Sequence, residues 1–144
     1  MLAIFNPEHD LCLANGSAHF VAPQSALRFA AEGAALMGIL YPDAVCVPAS
    51  RAGEAFRGVG EEIVAWGWNP ALKTALLKQG IPAAAMPSDA WLAGLRRLQH
   101  RATVLPLQPQ SRAVTSPREV EAMLGETPAL VMKAPWSGSG RVLR

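Results

Sequence analysis

A chain of 144 residues, 51% of them apolar, is large enough for one ordinary domain, or a domain with an appendage, and too varied in sequence for disorder. Its formal net charge of +2 comes with no basic block and no interleaving of basic and aromatic residues, which argues against a nucleic-acid surface. No apolar run approaches the ~20 residues that cross a bilayer, and Pro7 to Asp10 cut the apolar Met1–Phe5 run far short of a signal-peptide core.

Cys12 and Cys46 are the only cysteines and stand in no metal spacing. They are expected as buried or half-buried free thiols of a cytoplasmic protein rather than as a disulfide.

Leu2–Phe5 has the composition of a buried strand, stopped by Asn6-Pro7. Glu8, His9 and Asp10 follow, so three titratable groups lie just past the strand's carboxyl end, where open α/β sheets usually bind ligands. The same three residues also suit an ordinary solvated loop. Pro23 to Leu40 carries a helical pattern with Leu27, Ala30, Ala31, Ala34 and Ala35 on one face, weakened by Gly33 and Gly38 and ended by Tyr41-Pro42. Ala44–Val47 is a second strand, and 51–60 has too little periodicity for a good helix.

Ile63–Trp66 is a third short strand, after which Asn69 and Pro70 suit the cap and first position of a helix that Gly80 ends. Trp66 and Trp68 are expected to pack rather than to stack on a ligand. Ile81–Met86 resembles a fourth strand, held at an edge by Pro82. Ser88-Asp89 then cap a helix with Leu92, Leu95 and Leu98 turned inward. This alternation predicts an α/β fold with a parallel, doubly wound sheet under helical cover.

After Leu98 the rhythm changes. Pro106 and Pro109 cut short any helix begun at Gln99. Ser116-Pro117-Arg118-Glu119 fits a capping box in which Glu119 reaches back to the cap, with Val120, Met123 and Leu124 as the helix's apolar face and Gly125 closing it. A strand over Ala129–Ala134 carries Lys133, and a Gly- and Ser-rich loop follows. A lysine on a buried strand is costly unless it meets an anion, and the Gly138-Ser139-Gly140 loop can aim several backbone N–H groups at one phosphate. A lysine reaching to water beside a common Gly-Ser turn is the plainer account of the same residues.

Three blocks stand in a telling order: Phe5 to Leu11 (FNPEHDL), Trp66 to Asn69 (WGWN) and Leu130 to Arg141 (LVMKAPWSGSGR). Together they resemble an uncharacterised bacterial ATP-grasp-like family, across the whole chain but only about the amino-terminal third of a family member. The resemblance implies a Rossmann-like pre-ATP-grasp domain over 1–98 and a truncated opening of the ATP-grasp fold over 99–144. It implies nucleotide-phosphate contacts from Lys133, from the loop Ser137, Gly138, Ser139 and Gly140 with Arg141 at its edge, and from Arg101 at the start of a helix. Pro106, and Val142 where glycine is expected, depart from the family pattern.

By analogy Glu8, His9 and Asp10 fall on the substrate side. The implied chemistry is ATP-dependent ligation, in which a carboxylate forms an acyl phosphate that an amine or another nucleophile captures. ATP and Mg²⁺ are the implied cofactors, and a small carboxylate is the implied substrate. The family's magnesium ligands and adenine-binding segment belong to its carboxy-terminal half, so the chain is expected to be catalytically incomplete unless a second polypeptide supplies them. The other reading is a non-catalytic Rossmann-like module that binds a small ligand or a partner.

Overall fold

The computed structural model describes residues 1–59, 62–127 and 129–136. The chain divides into two compact units, Met1–Arg96 and Arg97–Arg144.

The first unit is an α/β fold of Rossmann-like type around a three-stranded parallel sheet of order β2-β1-β3. The central strand β1 (Leu2–Phe5) is buried along its whole length. It pairs with β2 (Val45–Pro48) from Leu2↔Val45 to Phe5↔Pro48, and with β3 (Ile63–Ala65) from Leu2↔Ile63 to Ile4↔Ala65. A parallel strand covered on both faces has no polar side to show, which is why Leu-Ala-Ile-Phe runs without alternation.

The two faces of β1 seed two cores. Leu2 and Ile4 pack with Val47, Ala52, Leu72 and Leu76, while Ala3 and Phe5 pack with Ala34 and Met37. After β1 the chain forms a short helix α1 (His9–Asn15), closed by Gly16 at φ +75°. The long helix expected from Pro23 is α2 (Gln24–Gly33), a 3₁₀ turn Ala34–Leu36 and a last turn α3 (Met37–Leu40). Its buried face is Ala30, Ala34 and Met37, whereas Leu27, Ala31 and Ala35 are exposed. Gly33 lets this segment lie against the Phe5 ring, since an added Cβ would stand 2.8 Å from Phe5 Cε1.

The weakly periodic stretch after Arg51 is in fact a helix, α4 (Ala52–Val59), with Ala52 and Gly53 buried. Its anchor is non-local. Gln79 accepts from the Gly53 N–H at 2.8 Å through Oε1 and donates from Nε2 to the Ala49 carbonyl at 2.9 Å. Helix α5 (Pro70–Lys78) starts as its sequence predicts, with the Leu72 N–H donating to Asn69 Oδ1 at 2.8 Å. It ends in left-handed Gly80, and the Ile81 N–H donates back to the Leu76 carbonyl at 3.1 Å.

That closing bond, with Pro82 lacking an N–H, prevents the fourth strand expected over Ile81–Met86. A 3₁₀ turn, Ala83–Ala85, stands there instead. Helix α6 (Asp89–Gln99) follows, with Leu92 buried, Leu95 half-buried and Leu98 exposed rather than inward.

In the second unit, residues Arg101–Leu107 form a 3₁₀ segment containing Pro106. Helix α7 (Pro117–Glu126) is capped by Ser116, whose Oγ accepts from the Glu119 N–H at 3.4 Å. The Glu119 carboxylate reaches one residue further back than a capping box requires, accepting from the Thr115 N–H at 2.8 Å and its hydroxyl at 3.1 Å. Those two bonds, the backbone one first, hold its carboxyl below the ordinary value. Gly125 does not close the helix, which runs on to Glu126, and Leu124 is exposed.

The strand expected over Ala129–Ala134 does not form, and Val131, Met132 and Lys133 are exposed. No strand among the described residues of this unit offers its backbone a partner. None of the described helices is long and apolar enough to cross a membrane.

Leu76→Ala, at a fully buried position, is expected to cost about 2–5 kcal/mol. Leu98→Ala is expected to change stability by less than about 0.5 kcal/mol. Urea midpoints at constant m-value measure both.

Candidate functional site

The strand order singles out the edge where β1 and β3 end side by side. From β1 the chain runs first into α1, which packs against α5, and only then into the helices whose Ala34 and Met37 cover the Ala3–Phe5 face; from β3 it runs into α5 on the Leu2–Ile4 face. The loops leaving adjacent β1 and β3 meet at the carboxyl edge of the sheet, the edge at which open α/β sheets usually bind ligands.

Two buried asparagines tie those loops together. Asn6 donates from Nδ2 to the Gly67 carbonyl at 2.7 Å and accepts from the Gly67 N–H at 3.2 Å through Oδ1. Asn69 donates to the same carbonyl at 3.4 Å while its Oδ1 caps α5. A buried amide that meets both backbone polar groups of one residue fixes the orientation of the two peptide units that flank it. The first two sequence blocks are therefore in direct contact.

Gly67 has a second duty, because the His9 ring lies against it and an added Cβ would run into that ring. His9 Nε2 stands 3.1 Å from Asp10 Oδ1. Nδ1 of His9 and Oε2 of Glu8 are buried and make no hydrogen bond among the described residues. Burial raises the Glu8 carboxyl above its ordinary value; a backbone hydrogen bond and neighbouring His9 pull the other way. One turn on, burial first and the Glu8 charge second push the Cys12 thiol up to about 11. Cys12 and Cys46 are both free, the first buried and the second half-buried. A thiol so poor in thiolate is a packing residue and not a nucleophile.

The carboxyl end of α1 is held from a distance. Arg96 donates from Nε to the Leu13 carbonyl at 2.7 Å and from Nη2 to the Ala14 carbonyl at 3.1 Å, placing a cation on the negative end of the helix.

Glu8, His9 and Asp10 are thus gathered at one sheet edge, with Asn6 and Gly67 as supports that their motif positions did not single out. The available signals were an asparagine at the end of an apolar strand and a glycine between two tryptophans. Trp66, expected to pack, is 49% exposed and meets Phe5 edge-on at 5.5 Å, whereas Trp68 packs on the first core.

In the second unit the Arg101 N–H donates to the Pro135 carbonyl at 3.3 Å, and the rings of His100 and Trp136 meet edge-on at 5.1 Å. The backbone that carries Lys133 is thereby fastened to the start of the Arg101 segment. Ser137, Gly138, Ser139, Gly140 and Arg141 lie outside the described residues. Among the described residues no group of three or more His, Cys, Asp and Glu side chains could hold a metal.

No family model, curated protein or solved structure matches the chain.

Gly67→Ala is expected to destabilise the fold by about 1–3 kcal/mol through displacement of His9, and by less in a His9→Ala background. A double-mutant cycle in urea measures the difference. Glu8 provides a pH test. Because its folded-state value is raised above 4.5, its favourable contribution is complete below that value and is lost as pH rises through the raised one. Glu8→Gln, which cannot ionise, is expected to gain stability relative to wild type as pH rises above 4.5. Chemical denaturation across that range measures it.

Proposed function

We propose that the chain holds a small ligand at the β1/β3 edge and a nucleotide phosphate beside Lys133, as part of ATP-dependent ligation of the kind carried out by ATP-grasp enzymes. In this reading 1–98 corresponds to the pre-ATP-grasp domain and 99–144 to the opening of the ATP-grasp fold. The observation that carries it is the two-way pairing of Asn6 with Gly67, which brings two of the three family-like blocks into contact at the sheet edge where a ligand belongs.

Each group then has a task its chemistry suits. Lys133 and Arg101 neutralise phosphate charge. Asn6 and Gly67 fix the loops at the edge, and Glu8, His9 and Asp10 present titratable groups to the substrate. ATP, when bound, supplies the phosphoryl group that activates a carboxylate. Magnesium has no acidic cluster to hold it among the described residues, so its ligands come from elsewhere in this reading, for instance from a partner polypeptide.

A second reading, a binding module without catalysis, has its own support: Asn6, Glu8, His9, Asp10 and Gly67 all belong to the unit Met1–Arg96. The two readings separate in a thermal-shift experiment. Mg-ATP at ten times its dissociation constant is expected to stabilise the protein by about 1.4 kcal/mol, a rise of roughly 3–6 °C, and Lys133→Ala to abolish the rise. If wild type and Lys133→Ala both ignore Mg-ATP at millimolar concentration, the nucleotide reading fails and the binding module stands.

A further inference from the structure

A cavity of about 410 Å³ lies among the residues that follow α1, helix α5 and helix α6, and all of its lining belongs to the unit Met1–Arg96. None of Glu8, His9, Asp10 and Gly67 lines it, so it is distinct from the sheet edge described above. Its volume falls within the roughly 300–1,000 Å³ typical of small-molecule sites.

Small residues make the room. Gly16 and Ala93 line the cavity, and Gly16 is held small because it ends α1 at φ +75° with the Arg96 guanidinium against it. Leu92, 2% exposed, and Leu77, a leucine left 44% exposed, supply the larger apolar surfaces. Water in a space with such walls is weakly held and readily displaced.

Three charged side chains also line the cavity, and each is engaged. The Lys73 ammonium meets Asp89 at 2.7 Å, and Arg96 donates to the Leu13 and Ala14 carbonyls at 2.7 and 3.1 Å. An ionised ligand would have to give up its hydration and compete with those partners, which is costly. Thr74 is different. Its side chain carries an uncharged hydroxyl, half-buried and without a hydrogen-bond partner among the described residues.

We infer that this cavity binds a small neutral alcohol of single-ring size, its apolar body against Leu77, Leu92 and Ala93 and its hydroxyl at Thr74. The inference goes beyond the function proposed above and rests on neither the sheet edge nor Lys133.

The test is a ¹H–¹⁵N titration of the full chain with three single-ring probes, benzyl alcohol, benzoate and benzylammonium. Benzyl alcohol is expected to shift the backbone N–H signals of Thr74, Leu77 and Ala93 saturably at millimolar concentration, and to leave that of Gly67 unmoved. Each charged probe should bind about tenfold more weakly, or worse. Ala93→Leu, at an exposed helical position, fills the cavity with another good helix former and should weaken benzyl alcohol about tenfold while keeping Tm. Thr74→Val, which keeps the shape and removes the hydroxyl, should weaken it about two- to tenfold. No saturable shift with benzyl alcohol, or an unchanged affinity in either variant, would overturn the inference. Equal or tighter binding of a charged probe would overturn the neutral class, and shifts confined to Gly67 and its neighbours would place the ligand elsewhere and overturn it as well. Should Ala93→Leu fold poorly, Thr74→Val decides. The response to Mg-ATP through Lys133 is read separately, so either proposal can fail without the other.

Discussion

One residue, Gly67, governs the geometry at the sheet's carboxyl edge. Both of its polar groups are taken by a single buried side chain, Asn6, and its carbonyl receives a second bond from Asn69. Burying two asparagines in a small domain is costly unless their donors and acceptors are met, and here each is tied into the same short loop. The strands alone are too short to hold the loops beyond them. Four residues of β1 and three of β3 give a ladder of only three paired positions. The asparagine bridge extends the constraint past the last strand bond and delivers His9 to its place against Gly67.

The β1/β3 edge and the Lys133 segment represent two kinds of local order. The first is built on buried backbone and paired amides, with little freedom to shift. The second is an exposed stretch without strand pairing, fastened at the Pro135 carbonyl and by an aromatic contact. Anion binding by basic side chains tolerates such looseness, because charge attraction falls off gradually with distance. Recognition by a shaped site does not, since its contacts depend on close fit.

Much of the first unit was legible in the sequence because its signals are local. An unalternating apolar run gives a covered parallel strand at Leu2–Phe5, and Asn69-Pro70 gives a cap and a helix start. What escaped is decided by distant partners. Helix α4 has weak periodicity and forms where Gln79 accepts from Gly53 and donates to Ala49. Ile81–Met86 has a strand's composition but is bonded back to α5. Residues 129–134 have one too, yet a strand exists only beside another strand. At the site, Glu8, His9 and Asp10 stood out by position after a strand, whereas Asn6 and Gly67 are informative only once they are seen to face each other across 61 residues.

That separation, with the one between Arg96 and Leu13, bears on how α1 is stabilised. The short helix α1 offers little stability of its own, and the contacts that fix its two ends arrive from 61 and 83 residues further along the chain. Closing loops of that length costs chain entropy that the local helices α2 and α5 do not bear. The segment bearing Glu8, His9 and Asp10 therefore draws part of its stability from α6. Loss of the Arg96 bonds in that distal helix is accordingly felt at the helix that begins with His9 and Asp10.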